Sequence, residues 1–205
     1  MKRLIIIALL TLLVGGAGLW GYGWWKTRSA SHIAAQGGRT LFIRLPAEAS
    51  HFRQNDPRWG AEKLGRTSET LKSVGCAMCS VASAAQYLGE TTDPSTLNRA
   101  LAENGGYTDQ GWLVWSAIAK IFDQRIEVNV LSSPSHEAMD RALEAGQYSV
   151  VKFFLPMGIP HWVIVVGKEG QDYLIYDPTE TEKEPRRLSE KTSGIYSLRI
   201  VRRRA

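Results

Sequence analysis

Apolar residues between positions 76 and 88 recur at three- and four-residue steps, which predicts an amphipathic helix of about three turns. Gly75 precedes this helix and Gly89 ends it. Because the helix begins with Cys76, the thiol would lie beside unpaired backbone N–H groups and the positive end of the helix dipole. Both favour the thiolate, which makes Cys76 a candidate nucleophile. The alternative is a small buried cysteine that packs one end of a core helix.

Three further segments have helical patterns, and they begin or end at residues that favour helix termini, such as Asp93 followed by a proline. These predicted helices cover residues 94–103, 112–122 and 133–145. Shorter runs are rich in β-branched and aromatic residues, which favour strands. The predicted strands cover residues 41–45, 125–131, 149–155, 161–166, 172–176 and 195–201.

The helices come first along the chain and mostly antiparallel strands follow, and this segregation predicts an α+β fold. Residues 167–171 are rich in glycine and charge, which predicts a hairpin. A hairpin centred at position 169 places Asp177 opposite His161, where Cβ atoms are about 5 Å apart. We therefore pair the two as candidate site residues. The alternatives are a histidine at the edge of the core and an Asp-Pro turn that only ends a strand.

After the basic residues Lys2 and Arg3, an uncharged stretch runs from Leu4 to Trp25, which is long enough to cross a bilayer. Aromatic residues cluster at its far end, as is typical of a membrane–water interface. We therefore predict a single transmembrane signal-anchor over residues 1–26, with a cleaved signal peptide as the alternative. The domain that follows is expected on the periplasmic or extracellular side of a bacterial inner membrane.

Small and polar residues predict a linker over residues 27–39, and residues 40–205 predict one folded domain. Gly37–Gly38 ends the linker. This pair is interpreted as a flexible joint, with a self-processing site as the alternative.

The formal charge of +5 overstates the basicity of the domain. Four of the 25 basic residues flank the uncharged stretch, which leaves 21 basic against 20 acidic residues. A nearly neutral domain does not predict a nucleic-acid surface. Two cysteines and four scattered histidines predict neither a metal site nor a cofactor site.

Several short motifs, taken together in order, resemble the C39-like branch of the papain-like cysteine peptidases. The resemblance runs from Gln54 to about Pro178, over most of the domain. The motifs are Gln-Asn-Asp-Pro-Arg-Trp at 54–59, Gly-Cys at 75–76, Gly-Gly-Tyr at 105–107, Val-Val-Lys-Phe at 150–153, His-Trp-Val-Ile-Val at 161–165 and Tyr-Leu-Ile-Tyr-Asp-Pro at 173–178.

This resemblance implies a papain-like fold, with N-terminal helices packed on a C-terminal antiparallel sheet, and hydrolysis of a peptide or protein substrate. Cys76 would be the nucleophile, His161 the base and then the acid, and Asp177 the residue that holds the imidazole. Gln54 would donate a hydrogen bond to the oxyanion, together with the backbone N–H of Cys76. Gln54 lies 22 residues before Cys76, which exceeds the usual spacing, so the loop between them must fold back.

Cys79 departs from the family pattern, which often has Thr or Ser there. The resulting Cys-x-x-Cys spacing also matches a thiol–disulfide oxidoreductase, although that motif normally follows an apolar strand. A disulfide between Cys76 and Cys79 that switches a peptidase off is a further hypothesis. A non-catalytic papain-like domain that binds peptides is the other alternative.

Overall fold

The computed structural model of the chain describes residues 15, 16, 18, 21, 31–47 and 51–204. The helices are α1 (Leu71–Val74), α2 (Cys76–Tyr87), α3 (Pro94–Glu103), α4 (Ala117–Ile121) and α5 (His136–Glu144). The strands are β1 (Ile33–Ala34), β2 (Gln36–Arg44), β3 (Ile126–Val130), β4 (Tyr148–Leu155), β5 (Ile159–Tyr176), β6 (Arg186–Arg187), β7 (Gly194–Ile195) and β8 (Ser197–Arg203). Two 3₁₀ turns cover Pro156–Gly158 and Leu188–Glu190.

One antiparallel sheet organises the domain. Its strands lie in the order β2–β5–β4–β8–β3, and β6 also pairs with β5. A separate two-stranded ladder joins β1 to β7. The sheet is antiparallel throughout and four of the five helices precede most of its strands, so the α+β prediction is confirmed for the described residues.

Strand β5 turns back on itself. Sixteen extended residues would span about 50 Å, whereas the side chains of His161 and Asp177 are 2.8 Å apart. Gly170 lies near this reversal with a φ of +68°, a left-handed conformation that glycine adopts without steric cost. The reversal falls in the predicted connection 167–171 and brings the two ends of the segment together.

Helices cover both faces of the sheet. Because side chains alternate along a strand, Val150 and Ile164 join the core beneath α2, α3 and α4. Val151 and Val163 join a second core beneath α5. The domain is therefore layered around the sheet, with α2 on one side of it.

The amphipathic character predicted for α2 is wrong. Of the first ten residues of this helix, all but Ala77 are buried, including Ser80 and Ser83. The small Ala, Ser and Cys side chains let the helix pack on every side, and Ser83 donates its hydroxyl hydrogen bond to the Cys79 carbonyl. Apolar periodicity could not reveal this burial, because small residues are compatible with both environments.

The predicted linker also differs from the structure. Strand β1 and the beginning of β2 lie within residues 27–39. Lys168 Nζ donates to the Gly37 carbonyl at 2.7 Å. A Cβ on Gly38 would lie 2.5 Å from Asp140 Oδ2, and the φ of +73° at this glycine is also unfavourable for other residues. Gly37–Gly38 is therefore a fixed part of the sheet rather than a flexible joint.

The helix predicted over residues 112–122 is shorter in the structure, where α4 covers Ala117–Ile121. The preceding residues form an irregular loop in which Tyr107 bridges Leu113. The predicted transmembrane segment, residues 1–26, lies outside the described residues except for four glycines. Within the described part of the chain, no helix combines the length and apolarity that crossing a bilayer requires.

Candidate active site

Helix α1 and Gly75 determine where the thiol of Cys76 lies. Thr70 and Ser73 form a capping box that starts α1. Gly75 follows this helix directly, and a Cβ at Gly75 would lie 2.4 Å from the Leu71 carbonyl oxygen. Only glycine fits this approach, so the chain passes from α1 straight into α2 with Cys76 as its first residue.

The structure brings Cys76, His161 and Asp177 together. The Cys76 thiol lies close enough to His161 to help raise the pKa of the imidazole. His161 Nε2 is 2.8 Å from Asp177 Oδ1, which leaves the other ring nitrogen, Nδ1, to interact with the thiol. All three residues are buried, and Phe153 packs edge-on against the imidazole at 5.3 Å between ring centroids. The imidazole is therefore hydrogen-bonded to the carboxylate and lies near the thiol.

The electrostatics of this site favour a charged imidazole. Burial is the largest single influence on His161 and lowers its pKa, but the hydrogen bond to Asp177 and the nearby Cys76 thiol outweigh burial and raise the pKa to about 9. Burial likewise raises the pKa of Asp177, and the hydrogen bonds from His161 and Thr179 reverse that effect and lower it. The pair is therefore held as imidazolium and carboxylate at neutral pH.

Thr179 orients the carboxylate of Asp177. Its backbone N–H and hydroxyl donate to Asp177 Oδ1 at 2.9 and 2.7 Å. Thr179 was not among the site residues predicted from the sequence. The signal was present, because an Asp followed by Pro and Thr favours a turn in which the Asp side chain accepts a hydrogen bond from the backbone two residues on.

Gln54 reaches the same site from upstream. Its backbone N–H donates to the Pro178 carbonyl at 2.9 Å, next to Asp177. Its side-chain Nε2 donates to the Lys72 carbonyl at 2.7 Å, while Oε1 is buried without a protein partner. The intervening loop folds back as required, with Lys72 N–H donating to the Gly60 carbonyl.

Lys72 lies four residues before Cys76, so its carbonyl is the one that a continuous helix would offer to the Cys76 N–H. Gln54 occupies that carbonyl instead. Cys76 is the first residue of α2, and its N–H has no acceptor within that helix. The Gln54 side chain is therefore bound through Lys72 to the segment that leads into Cys76.

Cys79 lies in the core and not in the site. It is fully buried in the cluster beneath α2, and burial raises the pKa of its thiol. Cys76 and Cys79 are both free thiols. The segment before them is the helix α1 rather than the apolar strand that precedes a redox motif. A buried, protonated Cys79 is a poor partner for thiol–disulfide exchange.

Among the described residues, no three His, Cys, Asp or Glu side chains lie close enough together to hold a metal ion.

No protein-family model matches the chain, and no curated protein matches it either. Among solved structures, the chain is similar to a protein from Bacillus anthracis described as a "putative C39-like peptidase". The match has a TM-score of 0.51 at 18% sequence identity, and it covers 79% of this chain and 98% of that one. Similarity at this identity concerns the fold, so the chain shares the fold of this C39-like protein.

Proposed function

We propose that the chain is a membrane-anchored cysteine peptidase that hydrolyses peptide bonds through Cys76, His161 and Asp177. The observation that carries this proposal is the grouping of the Cys76 thiol with the hydrogen-bonded pair of His161 and Asp177. A buried cysteine that only packs a helix needs no such partners. The fold shared with a C39-like protein supports the same reaction class.

In the proposed reaction, the proton of Cys76 already resides on His161, and the thiolate attacks the carbonyl carbon of the peptide bond. The tetrahedral intermediate collapses to a thioester as His161 returns the proton to the leaving amine. A water molecule, deprotonated by His161, then hydrolyses the thioester and regenerates the thiol. Asp177 keeps the imidazole oriented and stabilises its charged form throughout.

The negative oxygen of both tetrahedral intermediates would be stabilised by the Gln54 amide and the Cys76 N–H. The Gln54 side chain is fixed by its bond to Lys72, so its remaining proton needs no rearrangement to act as a donor. Donors held in place in this way stabilise a developing charge without reorganisation during the reaction.

Labelling with a fluorescent iodoacetamide at limiting concentration tests the nucleophile. We expect Cys76 to react much faster than Cys79, and Cys76→Ala to abolish the fast phase. Cys79→Ala is the matched control, because it removes the other thiol of the same helix and should preserve the fast phase. Equal reactivity of the two thiols would contradict the assignment.

Turnover of a peptide library, read by mass spectrometry, separates a peptidase from a domain that only binds peptides. We expect new peptide termini with the wild-type chain and none with Cys76→Ala. Binding of peptides by both proteins without cleavage would favour the non-catalytic alternative.

The membrane anchor is proposed from the uncharged stretch Leu4–Trp25 and the aromatic residues at its end. Flotation of the full chain with lipid vesicles tests it, with high-salt and alkaline washes to remove peripheral proteins. Protease accessibility in bacterial spheroplasts then tests the proposed periplasmic or extracellular side. A chain found only in the soluble fraction would contradict the anchor without affecting the proposed reaction.

A further inference from the structure

The turn between β4 and β5 carries exposed apolar side chains at the edge of the candidate active site. Leu155, Met157 and Ile159 are 38%, 69% and 53% exposed. We call these three residues the apolar tip. Ile159 pairs with Leu155 in the ladder, one alternate position beyond the pair that His161 makes with Phe153. The tip therefore lies directly beyond His161, the proposed base, on the same pair of strands.

The tip is uncharged as well as apolar. No Asp, Glu, Lys or Arg occurs between Phe153 and Val166. Met157 has a φ of +64°, which is uncommon for a residue other than glycine, so the turn holds a large apolar side chain outward at some cost in backbone energy. Exposed apolar side chains grouped beside a functional site mark a surface that contacts something else.

The N-terminal entry of the domain lies at the same end of the sheet. The ring of His32 stacks on Tyr196 at 4.8 Å, and Tyr196 packs edge-on against Phe154 at 4.8 Å. Phe154 is the neighbour of Leu155. The first residues of the described domain are thus joined through one intervening ring to the strand end that forms the tip.

The length of the intervening chain then brings the tip close to the bilayer. Six residues, 26–31, separate the uncharged stretch Leu4–Trp25 from His32. Even fully extended, they span only about 20 Å. The pairing of Ile33 with Ile195 fixes the entry point on the domain, so the short connection limits how far this end can move from the lipid.

We propose that the apolar tip inserts into the membrane surface as a second contact beside the N-terminal anchor. This inference rests on the anchor in the proposed function. It orients the domain with the Cys76–His161 end toward the lipid headgroups, so the peptidase would act on peptide segments that lie at or emerge from the bilayer. Lipid is favoured over a bound peptide as the occupant because the entry of the chain holds this end near the membrane.

Lipid-quenching measurements on the full chain test the contact. A fluorescent label is placed at Met157→Cys in a background with Cys76→Ala and Cys79→Ala, and the protein is reconstituted into phosphatidylethanolamine–phosphatidylglycerol vesicles that contain acyl-chain nitroxide lipids. Phe42→Cys is the matched control, since Phe42 is an exposed apolar residue, 79% exposed, that pairs with Glu169 at the reversal of β5, away from the tip. Ten extended residues separate Glu169 from Ile159, or about 30 Å.

We expect the label at position 157 to lose fluorescence in nitroxide vesicles and the label at position 42 to be unaffected. Quenching at neither position, or equally at both, would overturn the proposal. Flotation of the same samples reports the anchor independently, and a chain that fails to float overturns the anchor and the tip contact together. Because the background lacks Cys76, the outcome does not depend on catalysis.

A variant with Leu155→Asn, Met157→Asn and Ile159→Asn separates lipid from peptide as the occupant. Asparagine tolerates the left-handed conformation at position 157, and Met157→Asn alone serves if the triple variant melts early. If the tip contacts lipid, cleavage of a soluble peptide in detergent stays within about twofold of wild type, and cleavage of a lipid-tethered peptide in vesicles falls. Loss of soluble-peptide cleavage would show that the tip binds substrate instead.

Discussion

Strand β5 carries two buried acid–base pairs, and they differ in what surrounds them. Lys168 and Asp140 lie near its turn, with their side chains 0% and 1% exposed. Lys168 Nζ donates to Asp140 Oδ1 at 2.5 Å and to the Gly37 carbonyl at 2.7 Å, and Asp140 Oδ2 accepts from the Arg39 N–H at 2.8 Å. Tyr173 donates its hydroxyl hydrogen bond to the same carboxylate. Backbone partners from β2 and a side-chain partner from β5 therefore surround this pair.

The pair of His161 and Asp177 lies at the two ends of the same strand, away from its turn. Each of the two side chains is 5% exposed. Asp177 is anchored by Thr179, but the second ring nitrogen of His161 is left to a thiol that can lose its proton. The two pairs therefore use a buried charge in different ways. A pair enclosed by fixed partners joins β2 to α5, whereas a pair with one reactive partner can transfer a proton.

Replacing the imidazole should have the largest effect on activity. We expect His161→Asn to lower kcat/KM by about 10³-fold or more, because the proposed base and acid are lost together. The domain should still fold, since Thr179 continues to hold Asp177. Steady-state kinetics with active-site titration, beside a thermal melt, measures both. Activity within tenfold of wild type would show that His161 is not the proposed base, and the two pairs would then not differ in function.

Breaking the other pair should affect stability rather than turnover. Asp140→Asn leaves a buried ammonium without its counter-charge, which costs about 3–5 kcal/mol in the free energy of unfolding. Urea denaturation measures the loss. The value of kcat/KM per folded molecule should stay close to wild type.

The control is a double variant, Asp140→Leu with Lys168→Met, which removes both charges from the apolar surroundings. We expect it to recover much of the lost stability, because no unpaired charge remains. A double variant as unstable as Asp140→Asn would show that the hydrogen bonds to β2, and not the charges, determine the stability here.

The pH dependence should follow the site pair alone. The pKa of His161 is raised from 6.5 to about 9, so its stabilising contribution is complete below pH 6.5 and is lost as the pH rises through about 9. The thiolate–imidazolium pair should disappear over the same range, which places the alkaline limb of kcat/KM near pH 9. Asp177→Asn should move this limb toward pH 6.5. Lys168→Met should leave it in place, and a shift in that variant would show that the two pairs are coupled.

The sequence predicted the site pair because its members are close to a turn. Counting outward from position 169 was enough to place Asp177 opposite His161, and the helix period was enough to put Cys76 on a first turn. The core strands could also be predicted from their runs of β-branched residues. These are features in which local periodicity and tertiary position coincide.

The enclosed pair could not be predicted in the same way. Lys168 and Asp140 read as ordinary charged residues of a turn and of a helix, and 28 residues separate them. Both residues are bound by backbone groups of β2, which is distant in sequence. Local sequence patterns do not predict such a contact. Gly37–Gly38 was interpreted as a linker for the same reason, since glycine is required there by contacts with Asp140 and His136 rather than by flexibility.

The smallest expected effect concerns Thr179, which joins the site pair to the backbone. Thr179→Val removes one of the two hydrogen bonds that Thr179 donates to Asp177 Oδ1 and leaves the backbone one, so we expect kcat/KM to fall only several-fold, corresponding to about 1 kcal/mol for one hydrogen bond. Without that bond the pKa of Asp177 rises, and the acid limb of kcat/KM should move to higher pH. Thr179→Ser should restore both, because it keeps the hydroxyl. A fall in activity with an unchanged pH profile would assign Thr179 to the turn and not to the carboxylate, and would leave the imidazole as the main support of the charged Asp177.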